Sequence, residues 1–136
     1  MKYLLDTNIC IYIIKKKPAE VIEKFRKITE GEICISSITV SELSYGVYNS
    51  LKIEQNLSAL FGFLAPLCVL DFNTDDAIEY GKLRSELKKS GRLIGAMDML
   101  IASQARSKDL ILVTNNSSEF EKVNNLKIEN WVEAGD

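Results

Sequence analysis

A handful of acidic and amide side chains stand where the surrounding sequence leaves them few structural duties. Asp6 ends the apolar run Tyr3-Leu4-Leu5. Glu42 lies within Ile38-Thr39-Val40-Ser41-Glu42-Leu43-Ser44-Tyr45-Gly46, on the helical face shared by Ile38, Tyr45 and Gly46. Asp98 falls in Gly95-Ala96-Met97-Asp98-Met99-Leu100-Ile101-Ala102, among nearly continuous apolar neighbours. Asn116 and Glu119 follow the run Leu110-Ile111-Leu112-Val113. Carboxylates gathered without a counter-charge repel one another, and one stays protonated. A hard divalent cation resolves that repulsion, and all-oxygen ligation suits Mg²⁺ or Mn²⁺ rather than Zn²⁺. Such an ion activates bound water and stabilises charge on a phosphodiester under attack.

Each acid also has a plainer explanation. Asp6 can cap the helix that follows it, although Thr7 and Asn8 cap equally well. Glu42 can be a rim glutamate held by a lysine. Asp98 can answer a helix dipole, but that help is only about 0.3–1 kcal/mol at an exposed site. For Asn116 and Glu119 the plain reading is a capped short helix after a turn.

The chain contains no histidine. Ser-His-Asp and Cys-His nucleophilic sites, histidine-bound zinc and paired-histidine RNA cleavage are therefore excluded. The three cysteines, Cys10, Cys34 and Cys68, are well separated and lie among apolar neighbours. They read as buried core residues of a protein from a reducing, cytoplasmic setting, with no metal knuckle or redox pair. A formal net charge of -2 excludes an indiscriminate basic coat for nucleic acid, but not a local basic patch. No targeting segment is read at the N-terminus, and no apolar run reaches the roughly 18 residues of a membrane span.

The elements that position these residues follow from length and pattern. The 136 residues predict a single domain over 1–136. Strands are expected at Lys2–Asp6, Ile33–Ile35, Leu67–Asp71 and Leu110–Val113, with Lys127-Ile128 as a last edge strand and Trp131 packing beyond it. Helices are expected from Ile9 to Ile14, from Pro18 to Gly31, and from Ile38 to about Asn49 behind a Ser36-Ser37 cap. Further helices run from about Ile53 to Leu64, from about Asp75 to Lys89 behind Asn73-Thr74, and from about Ala96 to Ser107. Leu57, Leu60, Phe61 and Leu64 form one stripe, read as core before interface. Short apolar strands alternating with helices give an α/β fold with a central, mainly parallel, four- to five-stranded sheet covered on both faces. In such sheets ligands bind beyond the carboxyl ends of the strands.

Taken in order, Leu4-Leu5-Asp6-Thr7-Asn8, Ser41-Glu42-Leu43-Ser44-Tyr45-Gly46, Ile94 to Ala102 and Val113 to Phe120 resemble the PIN domain, and more narrowly the VapC toxins of bacterial toxin–antitoxin pairs. The resemblance spans essentially the whole chain. It implies a PIN-like fold and a metal-dependent endoribonuclease that inhibits translation. It further implies that Asp6 and Asp98 ligate Mg²⁺ (or Mn²⁺) directly, and that Glu42 completes the cluster through metal-bound water or as a base. Many relatives carry an aspartate where Asn116 stands, so either Asn116 or Glu119 fills the fourth position. The implied partners are an RNA, with transfer RNA and the anticodon loop of the initiator as the suggested target, a second copy of the chain, and a VapB-type antitoxin. That antitoxin covers a groove beside the acids. Arg84 and Arg92, near the acid of the Gly95–Ala102 motif, are the expected RNA contacts, with Lys15-Lys16-Lys17 a second candidate. Two other readings are an acid-cluster phosphotransfer or phosphatase domain using Asp6 and Asp71, and a PIN-like module without catalysis.

Overall fold

The computed structural model describes residues Met1–Val132; the last four residues of the expected domain, 133–136, lie outside them. Five short parallel strands form one sheet: β1 (Tyr3–Leu5), β2 (Ile33–Ser36), β3 (Cys68–Leu70), β4 (Ile111–Val113) and β5 (Lys127–Glu129), in the order β3-β2-β1-β4-β5. Their register places Leu5 beside Ile35 and Val113, and Leu4 beside Cys34 and Leu112. Because side chains alternate across a strand, those two rows face opposite sides. Leu5, Ile35 and Val113 pack with Ile9 and Val21 of α1 (Thr7–Lys15) and α2 (Ala19–Lys27), and with Leu43 and Leu60 of α3 (Ser37–Tyr48) and α4 (Ile53–Leu64). Leu4, Cys34 and Leu112 pack with Leu83 of α5 (Thr74–Lys89), Ala102 of α6 (Ala96–Ser107) and Phe120 of α7 (Ser117–Phe120). A sheet covered on both faces needs continuous apolar strands, and the inner strands β1, β2 and β4 supply them, while the edge strands β3 and β5 are more exposed.

The helix starts follow from their caps. Asp6 Oδ1 accepts the Ile9 amide at 2.9 Å, so α1 begins at Thr7, two residues before the apolar pattern does. Lys16 ends α1 in the left-handed region (φ 61°), one residue short of the restriction that Pro18 imposes. Ser36 accepts the Ile38 amide and starts α3. Asn73 and Asp76 close a reciprocal capping box on α5.

Two expectations about burial need correction. Cys10 and Cys34 are buried, but Cys68 is exposed, because it lies on β3, an edge strand at the margin of the core. Cys34 and Cys68 are also register partners on adjacent strands, a proximity that sequence spacing could not reveal. Burial, with Cys68 alongside, pushes the Cys34 thiol up to about 11, which leaves it unreactive near neutral pH. Finally, the stripe on α4 is divided: Leu60 is buried and Leu57 and Leu64 pack on the core, but Phe61 is 61% exposed. Among the described residues, no helix is long and apolar enough to cross a membrane.

Candidate active site

The chain builds β1, β2 and β3 outward on one side of the sheet, then returns to place β4 and β5 on the other. The order therefore reverses between β1 and β4, and the carboxyl ends of these two strands border a crevice of the kind where open α/β sheets bind ligands. Asp6 stands at that point. Its amide donates to the Val113 carbonyl at 3.0 Å, tying the ends of β1 and β4 together. Its carboxylate is buried, receives the Ile9 amide and is hydrogen-bonded by the Thr114 hydroxyl. Asp6 is thus a helix cap, as the plain reading has it, but a cap that also faces the crevice.

Glu42 comes to the same place from the second turn of α3. The Thr7 hydroxyl donates to its Oε1 at 2.6 Å. A hydroxyl from the first residue of α1, rather than a lysine, fixes this glutamate. Asp98 lies in the first turn of α6, whose cap is Gly95. A Cβ at Gly95 would stand 3.4 Å from Asp98 Oδ2, so the carboxylate lies back over its own cap. Glu119, in α7, is 3.5 Å from Lys122 Nζ. Asn116 caps α7 with its backbone carbonyl, which accepts from Glu119 and Phe120; its exposed side chain makes no capping bond. Arg84 is exposed on α5 and donates to the Tyr80 hydroxyl at 2.9 Å, while Arg92 is exposed in the loop that leads to α6.

These acids sense one another. Burial raises the Asp6 pKa from 3.8 to about 6, against the lowering effect of the Thr114 and Ile9 hydrogen bonds; the charges of Asp98 and Glu42 add to the rise. Asp98 is raised as well, first by burial and then by Glu42 and Glu119. No lysine or arginine among the described residues pairs with Asp6, Glu42 or Asp98, although six other ion pairs form. A set of hard oxygen donors that repel one another and lack a counter-charge fits a divalent cation in its chemistry. It is not closed in advance, since among the described residues no three of His, Cys, Asp and Glu stand together as a ready metal cluster.

The Asp6 shift has a sign that can be measured. The folded state holds the Asp6 proton more tightly than the unfolded chain does, so this residue's contribution to stability is greatest below pH 4 and is lost as pH rises to about 6. A rise of this size corresponds to about 3 kcal/mol at most. Urea unfolding of wild type and Asp6→Asn in EDTA, from pH 4 to 7.5, is expected to show the variant gaining relative stability as pH rises. Parallel curves would mean that Asp6 carries no such strain.

Several supporting residues escaped sequence reading. The Thr7–Glu42 bond joins residues 35 apart, and the bond from Asn115 Nδ2 to the Tyr12 hydroxyl (2.7 Å) joins residues 103 apart. The only local signal was a hydroxyl or amide next to each strand end. Thr114 left such a trace, and its Oγ1 also accepts the Asn116 amide at 2.9 Å, which orders the turn.

Comparison with known proteins meets this geometry from another direction. Residues 3–126 match the PIN domain family. The chain is 47% identical over 131 residues to a tRNA(fMet)-specific endonuclease VapC from Shigella flexneri, covering 96% of this chain and 98% of that protein. It is 48% identical over 132 residues to ribonuclease VapC2 of Haemophilus influenzae strain Rd, with 97% and 99% covered. Among solved structures, DNA-bound VapBC from Salmonella typhimurium superposes with a TM-score of 0.92 at 46% identity, over 96% of this chain and 98% of the other.

Proposed function

Because the chain belongs to the PIN-domain family, with VapC ribonucleases as relatives along nearly its full length, we propose that it is the endoribonuclease toxin of a VapBC toxin–antitoxin pair. The observation that supports this reading is the crevice at the strand-order reversal, where Asp6 stands within the influence of the Asp98 and Glu42 charges and none of the three has a basic partner among the described residues. Nucleases of this family are generally metal-dependent. For this chain Asp6 and Asp98 are the residues that would hold the ion, with Asn116 or Glu119 at the fourth position and Mg²⁺ as the natural occupant. When bound, the ion supplies activation of a water and stabilisation of charge on the phosphodiester.

The chain's own residues do the rest. Asp6 is held by the Ile9 amide and the Thr114 hydroxyl, which fix its carboxylate at the end of β1. The Thr7 hydroxyl engages Glu42 Oε1 and leaves Oε2 to accept a proton from an attacking water. Gly95 keeps the space beside Asp98 Oδ2 clear. The substrate is RNA. The Shigella relative acts on tRNA(fMet), and we extend that target, cut in the anticodon loop, to this chain. Arg84 and Arg92 are the cations we assign to the strand, and a cytoplasmic, dimeric protein with one PIN domain over 1–136 is the form we propose.

The test is direct. Incubated with initiator tRNA and Mg²⁺, the purified chain is expected to cut within the anticodon loop and to be silenced by EDTA. Transfer of phosphate onto the protein, or intact tRNA with a folded wild type, would overturn the reading. The phosphotransfer alternative has little to stand on, because its second acid, Asp71, is exposed in the loop between β3 and α5.

The VapB-type partner has a place to sit. A groove of about 320 Å³ runs between α1, α3 and α4, lined by Ile11, Ile14, Leu43, Gly46 and Leu60, with Lys15 and Glu42 among its polar residues. It explains why the face of α3 that carries Glu42 is apolar yet uncovered, with Tyr45 72% exposed. Glu42 belongs both to the groove and to the acid set, so a partner filling the groove covers the catalytic edge. Gly46 meets nothing within 4 Å of an added Cβ. Gly46→Leu is therefore expected to leave the fold intact, and to stabilise α3 by up to about 1 kcal/mol through helix propensity. By occupying the groove it should weaken VapB binding at least about tenfold, a loss of about 1.4 kcal/mol. Calorimetric titration with the antitoxin, beside an unchanged tRNA cleavage rate, checks both halves.

A further inference from the structure

The turn that follows α5 frames a second, smaller cavity of about 70 Å³, lined by Leu83, Leu87, Ser90, Arg92, Lys122 and Asn124, with Glu86 at its wall. Since about 10–15 Å³ accommodates one water, this space suits a phosphate group and its hydration. Gly91, at φ 69°, turns the chain here; its amide donates to the Lys88 carbonyl at 3.1 Å, and the Arg92 amide donates to the Leu87 carbonyl at 2.8 Å. These bonds occupy carbonyls at the end of α5 that would otherwise repel an anion. The wall acid is answered too, because Glu86 Oε1 takes Arg106 Nη1 at 3.0 Å, and the same nitrogen donates to the Asn124 carbonyl at 3.1 Å.

Two cations remain. Arg92 has no ion-pair partner among the described residues. Among the described residues Lys122 pairs with Glu119 alone, at 3.5 Å and partly exposed, the kind of contact that is readily exchanged. Glu119 is in turn one of the two acids, after Glu42, whose charge acts on Asp98. The cavity and the acid set are therefore linked through one lysine. We propose that this cavity takes a backbone phosphate of the RNA, flanking the one that is cut, between Arg92 and Lys122, and that Lys122 releases Glu119 to the acid set as it does so. This rests on the ribonuclease reading and adds to it a strand subsite and a positioning residue. It also accounts for acids that are near one another but not closed as a cluster: the last of them is held back until the strand is seated.

The experiment compares wild type, Arg92→Gln and Lys122→Gln with Lys24→Gln, which removes an equal charge from α2. Binding of a fluorescent single-stranded RNA is followed by anisotropy in EDTA across a salt series. Each of the first two variants is expected to lose about 5–10-fold in affinity and to lower the salt slope by about 0.7, the value for one phosphate contact on a single strand. Lys24→Gln is expected to stay within about twofold, and Lys122→Arg to recover most of the loss. Mn²⁺ binding without RNA, read by electron paramagnetic resonance, should tighten in Lys122→Gln and not in Arg92→Gln. Equal melting temperatures guard against misfolding. Affinity and slope unchanged in both variants, or an equal loss in Lys24→Gln, would overturn the subsite. Cleavage of RNA by the wild type in Mg²⁺ is read separately, since its absence sinks the ribonuclease reading instead.

Discussion

Asp6→Asn is expected to abolish RNA cleavage while making the metal-free protein harder to unfold. The two effects share one cause. Asp6 is buried beside the negative charges of Asp98 and Glu42, with its pKa raised to about 6, so at neutral pH it is ionised at a cost to the fold. Asparagine removes the charge but not the cap, because it serves as well as aspartate at a helix N-cap. The amide oxygen can still accept the Ile9 amide that starts α1. Against a ceiling of about 3 kcal/mol set by the pKa rise, the weakening of two hydrogen bonds to a charged acceptor leaves about 1–2 kcal/mol. That is a rise of several degrees in Tm for a chain of this size. Catalysis loses more than it would from a residue that merely orients a ligand, where the loss is about 10–100-fold. The expected fall in the cleavage rate is at least about 100-fold. Mg²⁺ should raise the Tm of the wild type and leave the variant nearly unmoved. A variant that cuts RNA at more than a tenth of the wild-type rate, or melts below it, would contradict the assignment. Active sites that store unfavourable charge in this way trade stability for function.

How far such a site can be read from sequence depends on where its constraints reside. Asp6 and Asp98 were legible because each breaks an apolar run locally: one at the end of a strand, the other in the first turn of a helix. The parallel sheet was legible for a related reason, since strands of three or four apolar residues spaced by helices have few other ways to bury both faces. Glu42 was legible only in part. Helical spacing placed it on a face with Ile38, Tyr45 and Gly46, and that is correct, but periodicity says which residues share a face and not what covers it. The structure leaves that face as an open groove. Cys68 failed for the same reason: its neighbours are apolar, but its strand lies at the sheet edge. The hydroxyl of Thr7 on Glu42 and the pairing of Lys122 with Glu119 depend on how helices are set around the sheet, which no local pattern records.

Asp76 shows why an acid in the sequence, even a fully buried one, need not be catalytic. Its side chain is inaccessible to solvent, yet every oxygen is answered. Oδ2 accepts the Asn73 amide at 2.9 Å and Gln104 Nε2 at 3.2 Å, and Oδ1 accepts Lys108 Nζ at 3.0 Å. The same Gln104 nitrogen reaches the Asp71 carbonyl at 3.2 Å, so this one carboxylate fixes the start of α5 against α6 and the end of β3. Asp76→Ala removes half of the capping box and leaves the Asn73 amide and Lys108 without their acceptor. Breaking a buried ion pair costs about 3–5 kcal/mol, but Lys108 is 21% exposed and can turn to water, which places the expected loss nearer to about 3 kcal/mol. That is a large share of the roughly 5–15 kcal/mol that holds a domain folded. A second change, Lys108→Met, should recover part of the loss, because it removes the charge left without its partner. At a temperature where the variant remains folded, its tRNA cleavage rate should equal that of the wild type. Measured side by side, the urea midpoints of Asp6→Asn and Asp76→Ala should then move in opposite directions, and only Asp6→Asn should lose cleavage. Two buried aspartates, one left without a cation and one supplied with it, would in that way separate the residue we assign to the chemistry from the residue that holds the fold.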